Sequence, residues 1–226
     1  MRAVRAAPQG DLPMDFTVLR VPFFLEPDYP LGPEFEETNR VRLVRKWGGK
    51  EGWEQQKAAH DLKGRGRAVG IENFNLDRIA SSTRLSHRVV QFVTKTNGVN
   101  AAERLYTDLN SRHFEKGEKL NDAKMLRRAA VAAGADEAAI DEFLADETAG
   151  VAEIEAAGKV MRDFGVSGIP TCILGGKWQL PSGAIHSDQL VSAFRGVEAH
   201  GGAPGNAFGA ALGIPDEVLE EALVFD

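Results

Sequence analysis

Residues 164–178 read FGVSGIPTCILGGKW, and they hold the one cysteine of a chain of 226 residues. GIPTCILGGKWQLPSG reads as two short strand runs joined at Gly175-Gly176. That glycine pair is a strong hairpin signal, because glycine takes up positive φ at no steric cost. Gly168-Ile169-Pro170-Thr171 leads into the first run and admits two readings. One is a trans proline at the head of an ordinary strand. The other is a cis X–Pro bond that turns the chain sharply and leaves the backbone of Ile169 facing outward, unpaired by its own sheet. The flanking Phe164-Gly165-Val166 and the Gly-Gly-Lys turn favour the second. In that reading the N–H and C=O of Ile169 can pair with an extended peptide or with glutathione as an added strand. Gly168, Ile169, Pro170 and Thr171 are therefore candidate binding residues.

The pattern outward from this stretch is mostly helical. Downstream, His186-Ser187-Asp188 cap an amphipathic helix with Leu190, Ala193, Phe194 and Val197 inward. Residues 201–207, GGAPGNA, read as a flexible linker, and the tail that follows has the pattern of one short helix. Upstream, helices are expected over 149–165, over ADEAAIDEFLADET, and over 122–134, where Gly134 gives the stop. Two more are expected over 100–117 and, opened by Ser81-Ser82-Thr83, over STRLSHRVVQFVTKT. From Glu34 the helical pattern is broken at 47–52 and 63–70. FTVLRVPFFLEP (16–27) is β-branched and aromatic, and reads as a strand that ends or bulges at Pro22.

The composition excludes several classes. A formal net charge of −6 argues against a nucleic-acid binder, and the basic clusters RVRLVRKW (40–47) and KGRGR (63–67) alternate with acidic segments. No apolar run is long enough to span a bilayer. The first fourteen residues lack the apolar centre of a secretory signal. A single cysteine makes no intramolecular disulfide, which suits a reducing compartment, so the expected location is cytoplasmic.

Three separated segments carry a resemblance. RVPFFLEPDYPLGPEF, then GRAVGIENFNLDRIASSTRLSHRVV with its His87-Arg88 pair, then FGVSGIPTCILGGKWQLPSGAIHSDQLVSAFRG fall in the order of the DsbA-like oxidoreductases of the FrnE type. That group is related to the kappa-class glutathione transferases and the 2-hydroxychromene-2-carboxylate isomerases. The resemblance covers about residues 16–198. It implies an α/β fold, a thioredoxin-like sheet with a large inserted helical domain, here without the usual first strand and helix. The expected divisions are 1–33 (N-terminal strand region), 34–150 (inserted helical domain), 151–200 (C-terminal half of the thioredoxin-like domain) and 201–226 (linker and tail).

Redox-active relatives carry a Cys-x-x-Cys pair between the first strand and helix, where the helix N-terminus lowers the pKa of the attacking thiol. This sequence has no such pair, nor the opening segment whose serine serves the related transferases and isomerases. The expectation is a family member that is inactive or truncated in this form. The alternatives are a non-catalytic module binding glutathione or a peptide, or a relative of the transferases and isomerases. The expected partner is a thiol or disulfide protein or peptide, or glutathione. No resident cofactor, nucleic acid or membrane partner is expected.

Cys172 is the candidate replacement thiol, but a small buried hydrophobe at that strand position explains it as well, and such a thiol is inert. By the resemblance, His87 lies on a helix near the cleft and is a candidate binding residue, and Asn73 and Asn75 precede that helix. Trp47, Trp53 and Phe74 read as core or cleft lining. The histidines are dispersed with no ligand spacing, so no metal site is expected. Neither glycine cluster is a phosphate loop. An absent central strand would leave neighbouring backbone groups unpaired, at about 1–3 kcal/mol for each one buried. The remedies are a homodimer donating a strand, the C-terminal EEALVFD filling the slot, or a longer natural protein.

Overall fold

The structure, a computed structural model, describes residues 15–201 and 205–224, apart from the side chain of His60. The first fourteen residues, expected not to be a secretory signal, and the centre of the expected linker lie outside the described residues. The chain divides into two compact units, one formed by Glu26–Val90 and Glu103–Ala145, the other by the segments up to Leu25, Gln91–Ala102 and from Asp146 onward.

The first of these is helical. A two-residue strand β1 (Glu37–Thr38) pairs antiparallel with β2 (Ile79–Ala80), Glu37 opposite Ala80. Between them lie α1 (Asn39–Lys46), α2 (Lys50–His60) and α3 (Leu62–Arg67). The Thr38 hydroxyl caps α1 by accepting from Val41 N–H at 3.3 Å. The break expected at 47–52 is shorter, since Gly48 (φ 70°) and Gly49 (φ 117°) turn the chain and the helix resumes at Lys50. Most of the break expected at 63–70 is helix rather than loop: Asp61 accepts from Gly64 N–H at 3.1 Å and opens α3. The three arginines of 40–47 are paired, Arg40 with Asp77, Arg42 with Glu26 and Arg45 with Glu37.

The two helices expected over 81–117 form one run, α4 (Arg84–Asn110), bent at Gly98 and followed by a π-helical turn over Ser111–Lys116. Its flanks, 84–90 and 103–110, belong to the helical unit. α5 (Ala123–Ala133) has the ends the sequence shows. Asp122 accepts from Lys124 N–H at 2.9 Å and Met125 N–H at 3.1 Å, and Gly134 (φ 112°) closes it. Met125, Leu126, Ala129, Ala130 and Ala133 share its inner face and are buried with Leu105, Leu109 and Ile140 of α6 (Glu137–Ala145). Trp53 is core. Trp47 is exposed, a correction that follows from its place at the C-cap of α1.

In the other unit, α7 (Val151–Asp163) leads to the hairpin β3 (Ile173–Leu174) and β4 (Trp178–Gln179), then α8 (Ser187–Ala199) and two short turns of helix, α9 (Gly209–Leu212) and α10 (Asp216–Leu219). Gly175 (φ 55°) and Gly176 (φ 70°) make the turn. His186 and Gln189 form a capping box on α8. Val99, Ala157, Phe208, Leu212, Ile214, Val218 and Leu223 form the buried cluster, so the tail is part of a core rather than an appendage. Each leucine fully withdrawn from water there contributes about 2 kcal/mol.

The segment 16–27, read as a strand, has no ladder. A strand exists through a partner's hydrogen bonds, and no described segment supplies them to this one. Val18, Leu19 and Val21 still pack on the cluster. Leu223 N–H donates to Phe16 C=O at 2.7 Å, the Thr17 hydroxyl donates to Glu221 C=O at 2.7 Å, and Gln91 Nε2 donates to Arg20 C=O at 2.7 Å. The described part of EEALVFD lies beside this segment without forming a strand. Its Glu221 carboxylate accepts from Val99 N–H at 2.8 Å and from the Asn100 side chain, at the N-terminus of helix that restarts after Gly98.

Candidate functional site

The Ile169–Pro170 bond is cis. Around it the chain is fixed by bonds that leave Ile169 out. The Thr171 hydroxyl donates to Gly168 C=O at 2.8 Å and lies 2.7 Å from the Ser182 hydroxyl, while Gly183 N–H donates to Pro170 C=O at 2.8 Å. Leu180 N–H donates to Cys172 C=O at 2.8 Å, extending the hairpin pairing by one step. Ile169 is 50% exposed, and among the described residues neither its N–H nor its C=O has a partner. The loop therefore presents a free donor, a free acceptor and an apolar side chain on a backbone held from both sides.

Beside it is a shallow pocket of about 200 Å³ lined by Leu180, Pro181, Ser182, Ala184, Ile185 and Gln189. Ser182 joins the two features, since it lines the pocket and meets Thr171. Gln189 is held by its part in the capping box of α8. The sequence reading missed these residues. The signal was Pro181-Ser182-Gly183 directly after β4, a turn that brings the chain back to the proline loop.

Cys172 is exposed. This corrects the expectation of a buried core thiol. Cys172 lies just ahead of β3, which is only Ile173–Leu174, so strand alternation does not carry it into the core. The remaining candidates separate. Gly168, Ile169, Pro170, Thr171 and Cys172 share one loop, whereas His87 is a half-buried residue of α4 in the helical unit. Its neighbour Arg88 is buried over the Phe143 ring, 5.1 Å from the centroid. Asn73 and Asn75 serve the backbone. The Asn73 amide donates to Glu115 C=O at 3.0 Å, and Asn75 accepts from Asp77 N–H at 2.8 Å.

A second polar cluster, in the helical unit, has its own character. The Arg78 guanidinium lies 4.9 Å from the Phe114 centroid and 5.6 Å from that of Phe74. Its Nε donates to His113 Nε2 at 3.2 Å, and the other ring nitrogen of His113 lies 3.0 Å from Glu118 C=O. His113 thus donates from Nδ1 and accepts at Nε2, which defines the neutral ring. Burial, with the Arg78 and Arg42 charges adding to it, pushes its pKa down to about 4, against the opposing bond to Glu118. Burial and the Arg42 charge lower that of Arg78 to about 10. Among the described residues no three His, Cys, Asp or Glu side chains gather to hold a metal ion, and no helix is long and apolar enough to cross a membrane.

A hairpin entered through a cis proline, a helical unit inserted before it and a core of helices against short strands define a thioredoxin-like α/β protein. The chain belongs to the DSBA-like thioredoxin domain family, whose model matches residues 18–195. Among solved structures it resembles a probable DsbA oxidoreductase from Streptomyces coelicolor, at 25% identity and a TM-score of 0.67, over 79% of this chain and 73% of that one. No curated protein matches.

Proposed function

We propose that this chain is a FrnE-type member of the DsbA-like thiol–disulfide oxidoreductases that binds an extended peptide or glutathione along Ile169. With one cysteine, it does not complete a two-thiol redox cycle by itself. The observation that carries this reading is the exposed, unpaired backbone of Ile169 on a loop braced by Thr171, Ser182 and Gly183. An added strand gains the two main-chain bonds that Ile169 leaves open, and the neighbouring pocket receives one small side chain.

Cys172, exposed two residues beyond Pro170, supports one exchange step. Its thiolate attacks a sulfur of the bound disulfide and forms a new S–S bond. The other sulfur leaves as a thiolate and takes a proton. Releasing the mixed disulfide then requires an external thiol such as glutathione, which a reducing cytoplasm supplies.

Native and unfolded thiol titration of the wild type, with insulin reduction run alongside, tests this. Cys172 is expected to react fully without unfolding, and insulin reduction is expected to stay blank without added glutathione. Reaction only after unfolding would remove the exchange step and leave binding alone. Glutathione-dependent activity that survives Cys172→Ser would instead favour the transferase and isomerase relatives.

A further inference from the structure

Several carboxylates of the helical unit are taken up by cations other than Arg78. Glu26 is taken by Arg42 at 2.7 Å and by Arg45 at 3.7 Å, Glu37 by Arg45 and Tyr29, Asp77 by Arg40, and Glu118 by Arg112. Arg78 makes no ion pair among the described residues. A half-buried guanidinium without a carboxylate is unusual, because its loss of hydration normally has to be offset by a partner charge. Of its five N–H donors, one goes to His113 Nε2 and one, from Nη1, to Asn75 C=O at 3.2 Å. The rest have no acceptor, and none of its nitrogens is among the fully buried unpartnered atoms, so the open edge reaches solvent. Phe74 and Phe114 stand against the guanidinium, which restricts approach to that edge. Arg42, whose side chain is 12% exposed, spends only its Nε on Glu26 and leaves its terminal nitrogens unbonded.

We propose that Arg78, with Arg42 beside it, forms a binding site for a compact oxyanion, a carboxylate or a phosphate, that meets the open guanidinium edge in plane. The shape follows from the parts. His113 and Asn75 fix the rotation of the Arg78 fork, and the rings prevent it from turning away. A planar fork held this way matches two oxygens of one anion. The pairing of Arg42 through Nε leaves its outer nitrogens as a second, longer-range source of positive potential. The site is independent of the Ile169 edge, since it stands on different residues of a different unit.

The test is a titration of the full chain with sodium phosphate, and separately with sodium acetate, at constant ionic strength set with chloride. It follows the Arg78 Nε–H resonance, assigned by its loss in Arg78→Lys, together with the thermal midpoint. The site predicts a saturable shift in the millimolar range with a rising midpoint, weakened about tenfold in Arg42→Gln, which keeps the Arg78 cluster intact. Saturation by phosphate alone assigns a phosphate ligand. Saturation by both assigns the shared carboxylate-type geometry. A resonance that neither anion moves, or a non-saturating drift that is the same in Arg42→Gln, overturns the proposal. The Arg42 variant reads the site even if Arg78→Lys does not fold.

Discussion

His113 makes the stability of this protein depend on pH in a window where carboxylates contribute little. Its folded pKa is about 4, against 6.5 for the free ring. A base whose folded pKa is depressed is bound by fewer protons in the native state across that interval. Its contribution is therefore complete above pH 6.5 and lost as pH falls towards 4. At 1.36 kcal/mol per pK unit the whole difference is worth about 3 kcal/mol. About 2 kcal/mol of it is gone by pH 5. The perturbation is His113→Gln, whose amide can donate to Glu118 C=O and accept from Arg78 Nε without titrating. Urea unfolding at several pH values between 7 and 5 gives the comparison. The wild type should lose about 2 kcal/mol more than the variant over that range. Parallel curves for the two proteins would show that His113 is not held neutral between Arg78 and Glu118, and would refute the reasoning.

Three further outcomes follow from the same geometry. Gly98 has φ +86°, and a Cβ there would collide with the Glu221 carboxylate, so Gly98→Ala should lower stability by about 3 kcal/mol through backbone strain and the displaced carboxylate. Denaturant midpoints measure it, and Glu221→Gln should remove part of the penalty. Asp122→Ala removes both cap bonds of α5 and should cost about 1 kcal/mol, read as a lower midpoint with an unchanged denaturant slope. Cys172→Ser should leave glutathione or peptide affinity unchanged, since the binding edge is Ile169 backbone, while abolishing mixed-disulfide formation seen by mass spectrometry.

What was legible in the sequence is what local chemistry specifies. Asp122 and Gly134 bound α5, His186 opens α8, and Gly175-Gly176 turn the hairpin, because caps and positive-φ turns need only their own neighbours. The turn at the Gly-Ile-Pro-Thr step was legible for the same reason. Long-range outcomes were not legible. Residues 16–27 have strand composition, yet pairing depends on a partner segment, and composition does not say whether one is there. Cys172 was read as core because alternation gives two faces without saying which is covered. The Arg78–His113 contact joins residues far apart in sequence. The capture of Glu221 by Val99 and Asn100 joins residues farther apart still, and no spacing rule reaches either. Gly98 fell in the gap between two expected helices, and what the sequence did not show is that the helical run continues across its positive φ.

The most direct test of the account is the backbone amide of Ile169 in a ¹⁵N-labelled sample titrated with reduced glutathione and with an extended, cysteine-free peptide. The account predicts a saturable shift centred on Ile169 and its neighbours Gly168 and Thr171, together with slower hydrogen exchange at Ile169 when ligand is bound. An Ile169 amide that neither ligand moves nor protects would contradict it, and the exposed edge would then be a feature of the fold alone.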